Sequence, residues 1–382
     1  MGIRLRPPGN VVAVDLSVLR RHPDVEGPDL SASDAADRLI LDEAAGLLAA
    51  ARSGDLVVID DNYGALSLSA AAGGVKAIRV HQDLITGERA LAENAARLGL
   101  SAVTSLPLTS ELLTGARLVL MRLPRSLDRL DEIAGLVARH ADPVATLVAG
   151  GRTKHMSTSM NDVLRKHFSR VDVSHARQKS RVLTASGPVS SGISRWPNRQ
   201  AHADLDLTIV AHGGVFAGTK VDVGTRFLLD NLDAVAPATS EVVDLACGSG
   251  IVGAWLAKNR PAVRVLASDR SAAAVASARL TAQANDVDNR MTVTQADGVK
   301  HLADESVGLV VLNPPFHSDA TLSGAIATHL FEDAARVLAP DGELWCVWNS
   351  HLRYRGALQR IVGPTRQIAR NAKFTVTASR HG

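Results

Sequence analysis

The sequence predicts an α/β fold in which two Rossmann-like units follow one another. Three observations lead there. Apolar runs of strand length alternate with stretches of helical spacing along most of the chain, the pattern of a parallel, doubly wound sheet. A glycine turn, Gly248-Ser249-Gly250, directly follows one of those runs, as at a strand-to-helix crossover. The halves also repeat. Val57 to Gly64 matches Val242 to Gly248 by pattern, and Leu118 to Arg125 matches Leu309 to Phe316.

With 382 residues, 46% of them hydrophobic, the chain can hold two domains with real cores. A net charge of +3 and a pI near 9.0 permit a nucleic-acid partner without demanding one. Two cysteines, Cys247 and Cys346, make neither a disulfide framework nor a zinc site by themselves. No signal peptide or bilayer-length apolar run is present, so the expected location is the cytosol.

In order, Val11 to Val14 is a short strand-like run, and Ser31 to Arg52 has helical spacing with Ser33 as N-cap. Asp55 to Ser67 reads as a buried strand, a polar turn and a helix start. Lys76 to His81 is a second strand, and Gly87 to Leu98 a helix. The strand Arg117 to Leu123, the helix Ser126 to Arg139 and the strand Val144 to Ala149 follow. From Gly151 to Arg181 the chain turns basic. Residues 186–203, rich in Ser, Gly and Pro at their start, read as a linker between a domain at 1–185 and a domain at 204–382. The alternation then restarts. Val215 to Arg226 is a loop opening onto the helix Phe227 to Leu232. The strands Glu241 to Leu245, Val263 to Ser268, Met291 to Gln295, Val307 to Leu312 and Glu343 to Trp348 complete the second unit, with helices at Ile251 to Asn259, up to Ala284, and Ala320 to Leu338.

The chemistry collects at predicted strand ends, where open α/β sheets bind ligands. Asn313-Pro314-Pro315-Phe316-His317 follows a fully apolar strand that two prolines cannot continue. An amide oxygen and a proline-flanked carbonyl can accept both hydrogens of an exocyclic amine, and a phenyl ring can stack on its base. Gly248 to Gly253 fits G-x-G-x-x-G, which alone is a weak dinucleotide signal. Asp244, just before the turn, suits an ammonium better than a pyrophosphate, and S-adenosylmethionine (SAM) carries an ammonium and a sulfonium. Asp269, at the second strand's end, suits a ribose diol, and as N-cap of the following helix it has a plain structural role too. Asp297 suits an adenine amine, though Asp297-Gly298 is also a common turn. Cys247 has no general base identifiable in sequence, and the turn accounts for its place.

On these residues the second half resembles class I SAM-dependent methyltransferases of the Asn-Pro-Pro-Phe/Tyr kind. With Lys220 to Thr225, Glu343 to Leu352, Asn371 to Phe374, Asp60 to Leu66 and Leu123 to Leu127, the whole chain resembles the bacterial ribosomal-RNA guanine-N2 methyltransferases. The resemblance implies two tandem class I methyltransferase domains, the N-terminal one degenerate, with RNA-binding or structural work left to it. It implies a monomer that transfers a methyl group from SAM to guanine N2 in ribosomal RNA or a ribosomal subunit. Asn313, Pro314, Pro315 and Phe316 are the implied catalytic set. Asp222, Gly224, Thr225, Asp244, Ala246, Cys247, Gly248, Gly250, Asp269, Arg270, Asp297, Gly298 and Asn313 are the implied cofactor set. Arg152, Lys154, Arg177, Lys179 and Arg181 are candidates for RNA phosphates. In the first half His81 is expected where the second has Asp269. Ala246 and Ser350 depart from the family pattern, which has Gly and Arg there. Adenine N6 in DNA, a protein glutamine amide, an NAD-dependent oxidation and a non-catalytic RNA-binding role stay open beside this reading.

Overall fold

A computed structural model describes residues 14–189, 192, 194–235, 239–315 and 320–382. The chain divides into two compact units, Met1–Ser194 and Arg195–Gly382.

In the first unit the strands are β1 (Leu56–Ile59), β2 (Ile78–His81), β3 (Val103–Ser105), β4 (Leu118–Arg122), β5 (Thr146–Arg152), β6 (Phe168–Val173) and β7 (Ser180–Pro188). They form one seven-stranded sheet in the order β3-β2-β1-β4-β5-β7-β6. The second unit opens with a hairpin, β8 (Asn198–His202) and β9 (Leu207–Ala211). Its sheet comprises β10 (Glu241–Leu245), β11 (Arg264–Asp269), β12 (Met291–Gln295), β13 (Val307–Leu312), β14 (Leu338–Asn349), β15 (Thr365–Arg370) and β16 (Phe374–Arg380). The order, β12-β11-β10-β13-β14-β16-β15, repeats that of the first sheet.

The central strands are parallel and buried on both faces, so they read as unbroken apolar runs. Helices pack on the sheet, and the main core of the second unit gathers Leu228, Trp255, Val265, Val311 and Trp345. The free edge of β9 is paired by side chains. Asn285 bonds both backbone groups of Thr208, Thr281 bonds both of Val210, and Ser277 accepts from His212 N–H. These three residues, spaced four apart along the helix Ala272–Ala284 and its C-cap, satisfy strand groups that would otherwise be orphaned.

The structure differs from the sequence expectations in several places. Neither sheet is wholly parallel: β7 and β16 run antiparallel to their neighbours. β6 and β15 are each buried only at their first residue and carry two charged side chains apiece, so their strand character does not show as an apolar run. Part of the expected linker is strand, because β7 runs to Pro188 and β8 starts at Asn198. The Ser31 to Arg52 helix is two helices, Ala35–Glu43 and Ala45–Ala50, and Asp34 rather than Ser33 caps the first in a capping box with Asp37. The helix expected at Phe227 begins earlier, at Val223. Residues 11–13 of the expected first strand lie outside the described residues.

Candidate functional site

The turn after β10 alternates left-handed residues: Ala246 at φ 58°, Gly248 at φ 54° and Gly250 at φ 77°. Gly250 must be glycine, because a Cβ there would meet the Cβ of Ala278 at 2.8 Å. At Gly248 a Cβ would meet nothing within 4 Å, so the turn's backbone faces open space there. Ala246 holds its positive φ at a cost of about 1–2 kcal/mol, which is the physical content of its departure from Gly.

Acids hold this turn. Asp269 Oδ2 accepts from Gly248 N–H at 2.9 Å, and Oδ1 accepts from Ser271 N–H at 2.9 Å. Asp244 is only 3% exposed, and its Oδ2 accepts from Gly253 N–H at 2.8 Å. Burial pushes its carboxyl up to about 7, against that hydrogen bond, and the charge of Asp269 adds to the rise. Burial first, then the same two acids, raise the Cys247 thiol well above its ordinary value, so it is no nucleophile at neutral pH.

Asp297 is more engaged than its sequence context suggested. Lys300 Nζ at 3.2 Å and His329 Nε2 at 3.3 Å both face its Oδ2. Burial raises its carboxyl, but His329 and then Lys300 outweigh that and hold it at about 2. The neighbouring Gly298 approaches the Asp333 carboxylate, which a Cβ would meet at 2.2 Å. Its glycine requirement is therefore internal. Arg270 is half-buried and its carbonyl accepts from Gln295 Nε2 at 3.2 Å.

The acceptor side forms at the end of β13. Pro314 is buried, Pro315 is exposed, and Phe316 and His317 lie outside the described residues. Asn313 Nδ2 donates to Thr225 Oγ1 at 3.0 Å. Asn313 Oδ1 is buried and has no hydrogen-bond partner among the described residues. Thr225 is held in turn. Asp222 Oδ2 accepts from Gly224 N–H at 2.9 Å and from Thr225 N–H at 3.2 Å, capping the helix Val223–Val235. A Cβ on Gly224 would meet Phe374 at 3.0 Å, and Asn371 Oδ1 fixes Phe374 by accepting its N–H at 2.7 Å. Ser350 Oγ pairs with Thr375 Oγ1 at 2.8 Å beside the end of β14.

Strand register gives the equivalent positions in the first unit. Ile59 pairs with His81 and Met121 as Leu245 pairs with Ser268 and Leu312. Gln82, not His81, therefore stands where Asp269 stands. It occupies the same contact, taking Asn62 N–H on Oε1 at 2.9 Å, but its Nε2 donates to Asn62 O at 2.9 Å. A neutral amide committed at both ends replaces a carboxylate. The turn backbone is kept, with Asp60 at φ 56°, Asn62 at φ 58° and Gly64 at φ 98°. Arg122 stands where Asn313 stands. It is ion-paired with Asp37 and, at 3.2 Å, with Asp34. Asp34 and Asp37 occupy the cap and third helix positions that Asp222 and Thr225 occupy in the second unit. The corresponding cleft, about 290 Å³, is lined by Asp60, Asn62, Gln82 and Arg122 among others.

Of the basic candidates, Arg177 is ion-paired with Asp42 and Glu43 at 3.3 and 3.4 Å, and Arg152 is half-buried. Lys154, Lys179 and Arg181 are exposed, with no ion pair among the described residues.

A seven-stranded sheet of this order, with a glycine turn after its first strand and Asn-Pro-Pro after its fourth, defines the class I methyltransferase fold. The family described as Methyltransferase small domain matches residues 206–378, and the RLMG N-terminal domain matches residues 13–188. The chain is 34% identical over 94% of its length to the ribosomal RNA large subunit methyltransferase G of Streptomyces avermitilis, of which 95% is covered. It is 33% identical over 94% of its length to that of Pseudomonas aeruginosa, of which 96% is covered. The chain belongs to the ribosomal RNA large subunit methyltransferase G family. Its fold is also that of the Thermus thermophilus 16S rRNA N2 G1207 methyltransferase, solved with AdoMet and guanosine, at a TM-score of 0.72, 21% identity and coverage of 94% of this chain and 97% of that one. Among the described residues no helix is long and apolar enough to cross a membrane.

Proposed function

We propose that the chain transfers a methyl group from SAM to the exocyclic N2 of one guanosine in large-subunit ribosomal RNA. The observation that carries this reading is Asn313 Oδ1, a buried acceptor at the end of β13 without a partner among the described residues. Leaving such a group unsatisfied costs about 1–3 kcal/mol, so it is an address for an incoming N–H. The relatives' names supply ribosomal RNA and the large subunit.

The residues fit the cofactor. Open space lies over Gly248, the Asp269 carboxylate that holds the turn at the end of β11 suits a ribose diol, and Asp244 has one oxygen beyond its Gly253 bond for an ammonium. The two cations on Asp297 face Oδ2, which leaves Oδ1 for an adenine amine. When bound, SAM supplies a methyl group made electrophilic by its sulfonium.

The chain's own residues prepare the nucleophile. The lone pair of an aromatic amine is delocalised into its ring. Accepting its hydrogens on Asn313 Oδ1 and on the Pro314 carbonyl turns that lone pair out of conjugation. Phe316, by its place in the motif, stacks on the base, which must leave its helix to reach the site. In-line positioning supplies several kcal/mol more, and no strong base is needed because the proton leaves after transfer.

In this reading residues 204–382 hold the chemistry. The first unit binds RNA through Lys154, Lys179 and Arg181, and the enzyme acts in the cytosol as a monomer. The test is tritiated-methyl transfer to large-subunit rRNA lacking the modification, with the product nucleoside identified. Asn313→Ala should lower kcat by at least about a hundredfold while SAM affinity stays within a few-fold. Wild-type turnover by that variant would overturn the role of Asn313.

A further inference from the structure

We infer that Thr225 is a positioning residue that holds the Asn313 amide in place at the strand exit where the acceptor amine arrives. The inference rests on the methyl-transfer reading above and assigns a second-residue requirement to it. A side-chain amide has nearly the same shape after a half-turn about its last torsion, but the turn exchanges an acceptor for a donor. With Oδ1 outward, the amide receives an amine N–H. With Nδ2 outward, two donors face each other and the amine is repelled.

Asn313 Nδ2 donates to Thr225 Oγ1 at 3.0 Å, a contact that anchors the amide at the strand exit, and in this arrangement Oδ1 has no partner among the described residues. Thr225 is 7% exposed, so little water competes for that contact. Its backbone is fixed by the Asp222 cap, and the neighbouring Gly224 packs against Phe374. The hydroxyl therefore sits on a rigid helix start.

The first unit supplies an independent observation. At the equivalent positions the strand exit and the third helix residue also touch, as Arg122 on Asp37. One copy pairs an amide with a hydroxyl, and the other pairs a guanidinium with a carboxylate. The two positions are matched to each other in both copies, and only the first pairing leaves an acceptor free.

The experiment uses the full chain, tritiated SAM and unmodified large-subunit rRNA. Thr225→Val keeps the shape and removes the acceptor; Thr225→Ser keeps the hydroxyl. Thr225→Val is expected to lower kcat about tenfold, the scale of one oriented hydrogen bond, with the calorimetric Kd for SAM within about twofold. Thr225→Ser is expected to recover activity to within about threefold of wild type. A readout independent of turnover is the Asn313 side-chain amide signal in ¹⁵N NMR, identified by its loss in Asn313→Ala. It should shift in Thr225→Val and hold in Thr225→Ser.

An unmoved amide signal, or a weaker SAM Kd with kcat unchanged, would overturn the inference, the latter making Thr225 a cofactor contact instead. If Thr225→Val does not fold, Thr225→Ala is read by the same criteria. Should the wild-type chain transfer no methyl to guanine N2, the functional reading fails, while the amide signal still decides whether Thr225 holds Asn313.

Discussion

Arg122→Ala tests the claim that the first unit has converted an acceptor position into a structural ion pair. The Asp37 side chain is fully buried and Arg122 is its cationic partner, with Asp34 on the other side of the guanidinium. Burial already raises the Asp37 carboxyl, and the Arg122 charge opposes that rise. Removing the arginine leaves an uncompensated buried carboxylate, which costs about 3–5 kcal/mol. Protonation of Asp37 relieves part of this. Its folded pKa lies above the unfolded value, so the folded state binds the extra proton and stability falls as pH rises from the unfolded pKa toward the folded one. The variant's defect is therefore smallest at acidic pH, where Asp37 is protonated in both states, and grows as pH rises above the unfolded pKa. In a unit of this size about 2–4 °C of melting shift accompanies each kcal/mol, so a loss of roughly 6–20 °C is expected at pH 7.5.

The tryptophans make the assay specific. Trp196, Trp255, Trp345 and Trp348 all lie in the second unit. Circular dichroism melts should lose stability in part of the transition, while the tryptophan fluorescence melt and methyl transfer kinetics stay near wild type. Arg122→Met combined with Asp37→Leu should recover most of the loss, since the pair is replaceable by packed apolar groups. A dichroism shift under about 2 °C at pH 7.5, or a single-variant defect that the double variant does not relieve, would refute the buried-pair account.

Further predictions concern the second unit and the basic rim. Asp269→Ala removes the acceptor for Gly248 N–H and Ser271 N–H together with the carboxylate proposed for the ribose, and calorimetry should find SAM affinity lost by at least about a hundredfold. An unchanged Kd would contradict the assignment. For Asp244, whose carboxyl is raised to about 7, only the ionised form attracts a cation, so SAM should bind roughly eightfold tighter at pH 7.5 than at pH 6. Asp244→Asn should flatten that dependence while keeping the Gly253 hydrogen bond. Replacing Lys154, Lys179 and Arg181 together by Ala should weaken RNA binding and make log K less steep against log salt by about 2–3 units. A slope equal to wild type would remove them from the RNA contact.

Much of the site was legible in sequence because it lies at strand ends that local rules mark. Two prolines must stop β13, and a glycine pair must turn β10 into a helix. Asp269 closes β11, so its place followed from the strand alone. The repeat of the two halves was readable for the same reason. What the sequence hid were partnerships between residues far apart along the chain. Neither Thr225 nor Arg122 advertises its partner, because Asn313 is 88 residues from the one and Asp37 is 85 from the other. The match of His81 to Asp269 failed by one position, since only strand register identifies Gln82 as the residue in that contact. The antiparallel strands β6 and β15 were hidden because half-exposed, charged strands have no apolar run to show. Apolar period and turn chemistry determined that this chain is two α/β units, with Asn313-Pro314-Pro315 at a strand end of the second. Tertiary structure alone decided which copy keeps an acceptor free, because that depends on what the helix start brings to the strand exit: a hydroxyl that takes one end of an amide, or a carboxylate that neutralises a guanidinium.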